Sequence, residues 1–545
     1  MKSTCLGLAF MILFSGVSAV GQQNADNKPA NTQNEKPASA QEVEELREII
    51  LKLQAKVEEL EKTQAASQPG NRTDSTIAND PSPHENSTNL KTEVVSSEPA
   101  FSPATKQVPA FSGESAKPQP TEPFAFADFT WLNGNPRTKE IPVDTKFFTP
   151  EVRVDVAYHY DFNHPKDDTI SGSSEVFRSN EISLTHLGIG GDFHYDNVRA
   201  RVMSQLGLYS TATPRNDASY SRGQWDLADA YRYVNEAYGG YHIDALHGVN
   251  VDAGIFLSYV GLFSFYNFDN WAYQPSYVSS NTPWFFTGMR IQIFPTDKLK
   301  IEPWIINGWQ SYGRYNGRLG FGGQVLYRPT GWLELLSNNY GAGADALGLP
   351  NRTRYHTDNS IEVKYYDNPE RFLDKMAFSL TGDAGCESGE GVNCMTNQKN
   401  SAGQIIAYKQ SFLGFMLYNR WWFKKDRYGF TLGGGKINNP GRYLVLLPPI
   451  NGATATSGTP YFTENPGDPY KAWDMSATYD YMPSQYITFR WEFNHRHANV
   501  PYWSGPGGVT PPGGNQGAPG SVVTGWVPDL RHTEDRATMA ILVKF

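Results

Sequence analysis

Charged side chains recur at every second residue through much of this chain, and that spacing decides what they could do. Arg490 and Glu492 alternate with Phe489, Trp491 and Phe493, and Asp474 and Asp480 alternate with Trp473, Met475, Tyr479 and Tyr481. Period two places all the charges of a strand on one face and all its apolar residues on the other. The same pattern nominates Arg153, Arg199, Arg201, Arg232, Arg290, Lys300, Arg328 and Lys364 as companions of Arg490 on one common face. Against them stand Glu151, Asp155, Glu236, Asp252, Glu302, Glu334, Glu362, Asp474, Asp480 and Glu492. Charges at this density are very costly in a dry interior, so the expectation is a wet one. The signs nearly balance, which predicts neither strong anion nor strong cation preference; a ladder of one sign would have suited phosphate.

Motifs with catalytic spacing are scarce. Gly433-Gly434-Gly435-Lys436 lacks the first glycine of a phosphate loop and has Ile437 where a hydroxyl is needed. Gly188-Ile189-Gly190-Gly191 lies in a strand pattern with no helix after it, unlike a dinucleotide site. The chain has neither a nucleophile elbow nor HExxH. His495-Arg496-His497 reads as a solvated strand tip in preference to a metal pair. No catalytic residue, metal or cofactor is expected. Cys386 and Cys394 are the two cysteines beyond the N-terminal segment, close together in a Gly/Glu/Ser-rich stretch. In an exported chain they predict a loop disulfide.

The elements that carry these charges are short amphipathic strands. The arms 473–481 and 487–494 flank a turn at Met482-Pro483-Ser484-Gln485 and form an antiparallel hairpin. Similar arms recur from Glu151 to Phe545, about sixteen in all, within a range of about 14–18. Short turns near Asp196, Pro295, Pro329, Asp367, Lys425 and Pro483 interleave with long excursions such as Tyr209–Tyr231, Ser258–Trp284 and Arg496–Leu530. A soluble sandwich does not need that asymmetry. A transmembrane antiparallel β-barrel, apolar outside and polar inside, has it. After the N-terminus no run of about 18 apolar residues could form a spanning helix, which leaves strands untouched. With 39% hydrophobic and 13% aromatic residues and a formal charge of −9, the chain suits neither wholesale disorder nor nucleic-acid binding.

Upstream of the barrel the composition changes three times. Residues 1–19 read as a secretory signal, with Lys2, an apolar run and small residues at Val17-Ser18-Ala19. Residues 20–40 are polar and unstructured. In 41–64, Val43, Leu46, Ile50, Leu53, Val57 and Leu60 form a heptad seam, predicting a coiled coil of two or three chains. Residues 65–122 are a Pro/Ser/Thr-rich linker, and 123–545 the barrel. Phe124–Leu132 is left over, as an extra strand, part of a hairpin or a plug.

Several segments carry a resemblance. Val543-Lys544-Phe545 looks like the terminal signal that barrel-assembly machinery reads in outer-membrane proteins. Signal, coiled coil, tether and barrel together are similar to trimeric specific porins for phosphate or carbohydrate. Phe126–Asn135 (FADFTWLNGN), Pro214–Trp225 (PRNDASYSRGQW) and the run from Asn267 to Trp284 resemble the OmpL-like family of β-barrel porins. The resemblance implies an outer-membrane homo-oligomer in contact with lipid, with its N-terminus and coiled coil in the periplasm, passing small hydrophilic solutes. A lipase-like barrel enzyme and a structural or adhesive envelope protein are the alternatives. For the constriction, Arg215, Asp217, Arg222 and Asp226 supply charges of both signs in one excursion. The aromatic run Phe263–Trp284 is the rival.

Overall fold

The computed structural model describes residues 122–545, apart from 172, 174–175, 214–226, 228–229, 315–317, 345–350, 441–468 and 511–525. The expected signal, coiled coil and linker therefore lie outside the described residues, as do Arg215, Asp217, Arg222 and Asp226.

Sixteen strands close into one antiparallel barrel. Eleven come in unbroken succession: β1 (Phe148–Asp161), β2 (Ile182–Tyr195), β3 (Val198–Ser204), β4 (Val234–Ile243), β5 (Val249–Leu257), β6 (Phe285–Thr296), β7 (Leu299–Ile306), β8 (Gly320–Thr330), β9 (Leu333–Ala344), β10 (Thr353–Asp367) and β11 (Leu373–Ser388). A small side sheet of β12 (Val392–Asn393), β13 (Gln398–Lys399) and β14 (Ile405–Lys409) follows. The wall resumes with β15 (Ser411–Phe423), β16 (Tyr428–Asn438), β17 (Lys471–Ser484) and β18 (Ile487–Ala498). After the short pair β19 (Trp503–Ser504) and β20 (Leu530–Arg531), β21 (Thr533–Lys544) returns to β1 and seals the ring. Closure leaves no unpaired wall edge, which a membrane span requires.

The burial pattern is inverted relative to a soluble protein. On β18, Arg490, Glu492, Asn494 and Arg496 are buried, whereas Trp491 and Phe493 are exposed. On β17, Asp474, Ser476, Thr478 and Asp480 are buried while Trp473, Met475 and Tyr479 face out. The two strands pair in register, Asp480 opposite Arg490 and Tyr479 opposite Trp491. Apolar exposure outside and charge inside suit a wall set in lipid. No described helix is long and apolar enough to cross a membrane.

Some boundaries differ from the expected ones. β17 runs through Ser484, so the hairpin turns at Gln485–Tyr486. Cys386 and Cys394 are bonded, with Cα atoms 5.0 Å apart. Cys386 belongs to the end of β11, however, and only Cys394 lies in the connection beyond. Barrel strands outrun the bilayer at the long-loop end, and there the local composition ceases to report a strand.

Candidate functional site

The candidate site is the barrel interior, where two of the described segments bond to the wall. The first is the connection from β5 to β6. Every residue from Phe265 to Phe286 in it is buried, which a surface loop could not achieve. It contains only two short 3₁₀ turns, Asn267–Asp269 and Ser279–Asn281. Most of its backbone polar groups must therefore find partners on the wall.

The wall charges supply them. Arg490 donates from Nη1 to the carbonyls of Asn267 (2.9 Å) and Ala272 (3.0 Å), and from Nη2 to that of Asn270 (2.7 Å). Its other donors grip Asp480 at 2.7 and 3.0 Å. Arg420 shares Asp480 at 2.7 Å and reaches the Trp271 carbonyl at 3.2 Å. Glu492 accepts from the amides of Tyr273 (2.6 Å) and Gln274 (3.0 Å). Asp474 accepts from the Tyr277 amide and, at 3.1 Å, from the Ser276 hydroxyl. Across the seam, Arg153 holds Asp269 at 2.7 Å, and Asp155 accepts from Asn267 at 2.8 Å and from the Tyr273 hydroxyl at 3.0 Å. These are charge-assisted bonds in a water-poor setting, the strongest class available to a loop.

The second segment is 122–140, which crosses the end of the barrel where the turns are short. Phe124 starts it with an amide bond to the Asp297 carbonyl at 2.7 Å. Phe124 and Phe129 lie 4.8 and 4.6 Å from the Arg328 guanidinium. Trp131, fully buried, donates to the Gly331 carbonyl at 3.1 Å. Arg137 then reaches the carbonyls of Met482 (2.7 Å) and Pro483 (2.9 Å), and Thr138 that of Gln485 (3.0 Å). Asp128 organises the near half. Partial burial pushes its carboxyl up, but the Thr130 hydroxyl and amide and the Lys139 ammonium outweigh that and hold it at about 2.

The sixteen residues expected to line a pore divide as follows. Arg153, Asp155, Arg199, Arg201, Glu236, Asp252, Arg290, Lys300, Glu302, Arg328, Glu362, Asp474, Arg490 and Glu492 all face inward and all are buried. Lys364 also faces in but is half-buried, its ammonium 6.0 Å from the Trp131 ring. Arg232 departs from expectation. It precedes β4 and bonds to the Ser210 carbonyl and the Thr211 hydroxyl, both at 3.2 Å. Many of these charges pair with one another and with the inward segment. Arg201 meets Glu236, Asp192 and Glu151 at 2.9, 2.8 and 3.0 Å, and Lys300 meets Glu302 at 2.7 Å. Such pairs offset part of the cost of burying the charges.

His495-Arg496-His497 needs correction too. Its histidines face outward beside Trp473, with ring centres 5.1 and 5.8 Å away. Arg496 is fully buried and donates to the Pro275 carbonyl at 3.4 Å. Arg420, Arg496 and Arg536 are further interior arginines outside the expected pore-lining set. Around Arg420 the inward set is Gly414, Met416, Tyr418 and Trp422, so the polar half of the alternation is absent. A strict count of every second residue from Phe412 would have found it. The Gly433–Lys436 stretch is strand β16, as expected.

Comparison with known proteins gives the following. No curated protein matches the chain. In fold it is similar to OmpT of Vibrio cholerae, at 8% identity and a TM-score of 0.41 over 74% of this chain and 100% of that one. It is also similar to OprB of Pseudomonas putida, at 11% identity and 0.41 over 73% and 94%. For the outer membrane channel DcaP of Acinetobacter baumannii the values are 10% and 0.40 over 73% and 97%. The profile of the OmpL-like beta-barrel porin-2 family matches residues 151–524, which takes in the wall from β1 to β18 and both segments quoted above from within the barrel. The chain belongs to the OmpL-like beta-barrel porin-2 family.

Proposed function

We propose that the chain is an outer-membrane channel for small hydrophilic solutes whose bore is narrowed by residues 258–284. The observation that carries this is a closed barrel with an apolar exterior and many buried charges of both signs on its interior face. An outer face of this kind belongs in lipid, and an interior of this kind selects by size and by a transverse field. The bonds that Arg490, Glu492, Asp474 and Arg153 make to the β5–β6 connection support it as the constriction. The near balance of signs makes ion preference weak.

In this reading the short turns face the periplasm, as in other outer-membrane barrels, and the N-terminal coiled coil lies there with them. The seam at 41–64 joins two or three chains, assisted by the barrel wall, and Val543-Lys544-Phe545 is the segment read by assembly machinery. The chain acts as a conduit and not as an enzyme. Planar-bilayer recordings on folded protein are expected to show discrete, small openings with little preference between potassium and chloride. A folded sample that carries no current above the bare bilayer would end the channel reading.

A further inference from the structure

We propose that residues 122–140 are a separable plug of the short-turn mouth, a second barrier in series with the inward segment. This rests on the channel reading above. The strap runs from the β6–β7 and β8–β9 turns, through Asp297 and Gly331, to the β17–β18 turn at Ser484 and Gln485. Counting round the sixteen-strand ring, β7 is the seventh strand and β18 the fifteenth, half a circumference apart. The strap thus spans the mouth along a diameter.

Three features make it a plug and not part of the wall. It contributes no strand to any sheet, and the ring closes through β1 and β21 without it, so its departure breaks no ladder. It is joined to β1 by residues 140–147, all exposed, which form a natural hinge. Its backbone hydrogen bonding to the inward segment is through Gly134, while Trp131 and Leu132 share an apolar cluster with Trp271 and Ala272. The Gly134 amide donates to the Asp269 carbonyl at 2.8 Å, and Arg420 caps the Gly134 carbonyl at 2.7 Å. The other ties of the inward segment, through Arg490, Glu492, Asp474 and Asp155, do not involve the strap. Its departure therefore gives up the packing around Trp131 but leaves the polar ties that hold the constriction behind it.

Gly134 offers a clean way to test this. A Cβ there would collide with the backbone carbonyls of Phe268 and Asn270, and its φ is not one that only glycine adopts. Gly134→Leu should thus wedge the strap outward without straining its own backbone. Full-length protein, Gly134→Leu, and a version with residues 124–139 replaced by an equal length of Gly/Ser would be compared in planar bilayers. Each would also carry Lys364→Cys, beneath Trp131, for labelling by a polar maleimide. Both variants are expected to raise conductance or open time several-fold and to speed labelling. If the unaltered protein conducts and the variants match it, the plug is overturned and the channel stands. Faster labelling with unchanged current would show a strap that leaves without being a barrier, which also overturns the proposal. If no version conducts, the channel reading falls and takes the plug with it.

Discussion

Arg490 shows how much one interior residue can organise. Its guanidinium makes five hydrogen bonds, two to Asp480 and three to carbonyls of the inward segment. A planar fork with fixed donors suits that geometry, whereas an ammonium has three hydrogens on a single atom. Arg490→Ala leaves Asp480 with Arg420 alone and takes a charged donor from three carbonyls, of which that of Asn267 keeps the Asn270 amide, at a cost of about 3–5 kcal/mol. Arg490→Lys is expected to recover little of it. Urea unfolding in detergent micelles would show this, and recovery of wild-type stability by lysine would mean that charge alone suffices. The presence of Arg490 on a polar face was legible from its neighbours Phe489 and Trp491. Its partners were not, because the carbonyls it binds lie more than two hundred residues earlier.

At the scale of elements, the β17–β18 hairpin was readable because nothing within it disturbs the period. Both faces are uniform, and its lipid-facing side carries Tyr479, Trp491 and Phe493 in an exposed array. Trp491→Arg, near mid-strand, puts a cation on that face and should cost about 2–4 kcal/mol in a bilayer. Folding titrations into lipid vesicles would measure it. A loss well below that, or a gain, would indicate that this part of the wall meets protein or water instead. The inward segment and the strap were harder to read. Each consists of turns and single side-chain anchors with no repeating period, so aromatic content was the sole signal. That signal named Phe263–Trp284 as one of two candidates and left 124–132 undecided.

The whole molecule depends on the meeting of its two wall ends. Val154 pairs with Val543 and Arg153 with Lys544, and Phe545 exchanges bonds with Val152 at 2.9 and 3.1 Å. The Phe545 ring also stacks near Tyr486, 5.3 Å between centres. Removing Val543–Phe545 exposes backbone groups of β1 and β18 together, in a place where lipid offers no substitute. The truncated chain should lose the compact, heat-sensitive form of folded barrels on unheated gels. A stable compact form would mean that the last residues serve recognition by assembly machinery and not closure.

By itself the sequence determined the barrel: its alternation, its strand count and the sidedness of its charges follow from local period two, which each strand carries in its own residues. Tertiary structure alone decided which partners the interior charges meet. Whether Arg490 meets water or the Asn270 carbonyl depends on where the β5–β6 connection goes. That path is set by many bonds between residues far apart in the chain, and such long-range pairing leaves no period in the sequence to read.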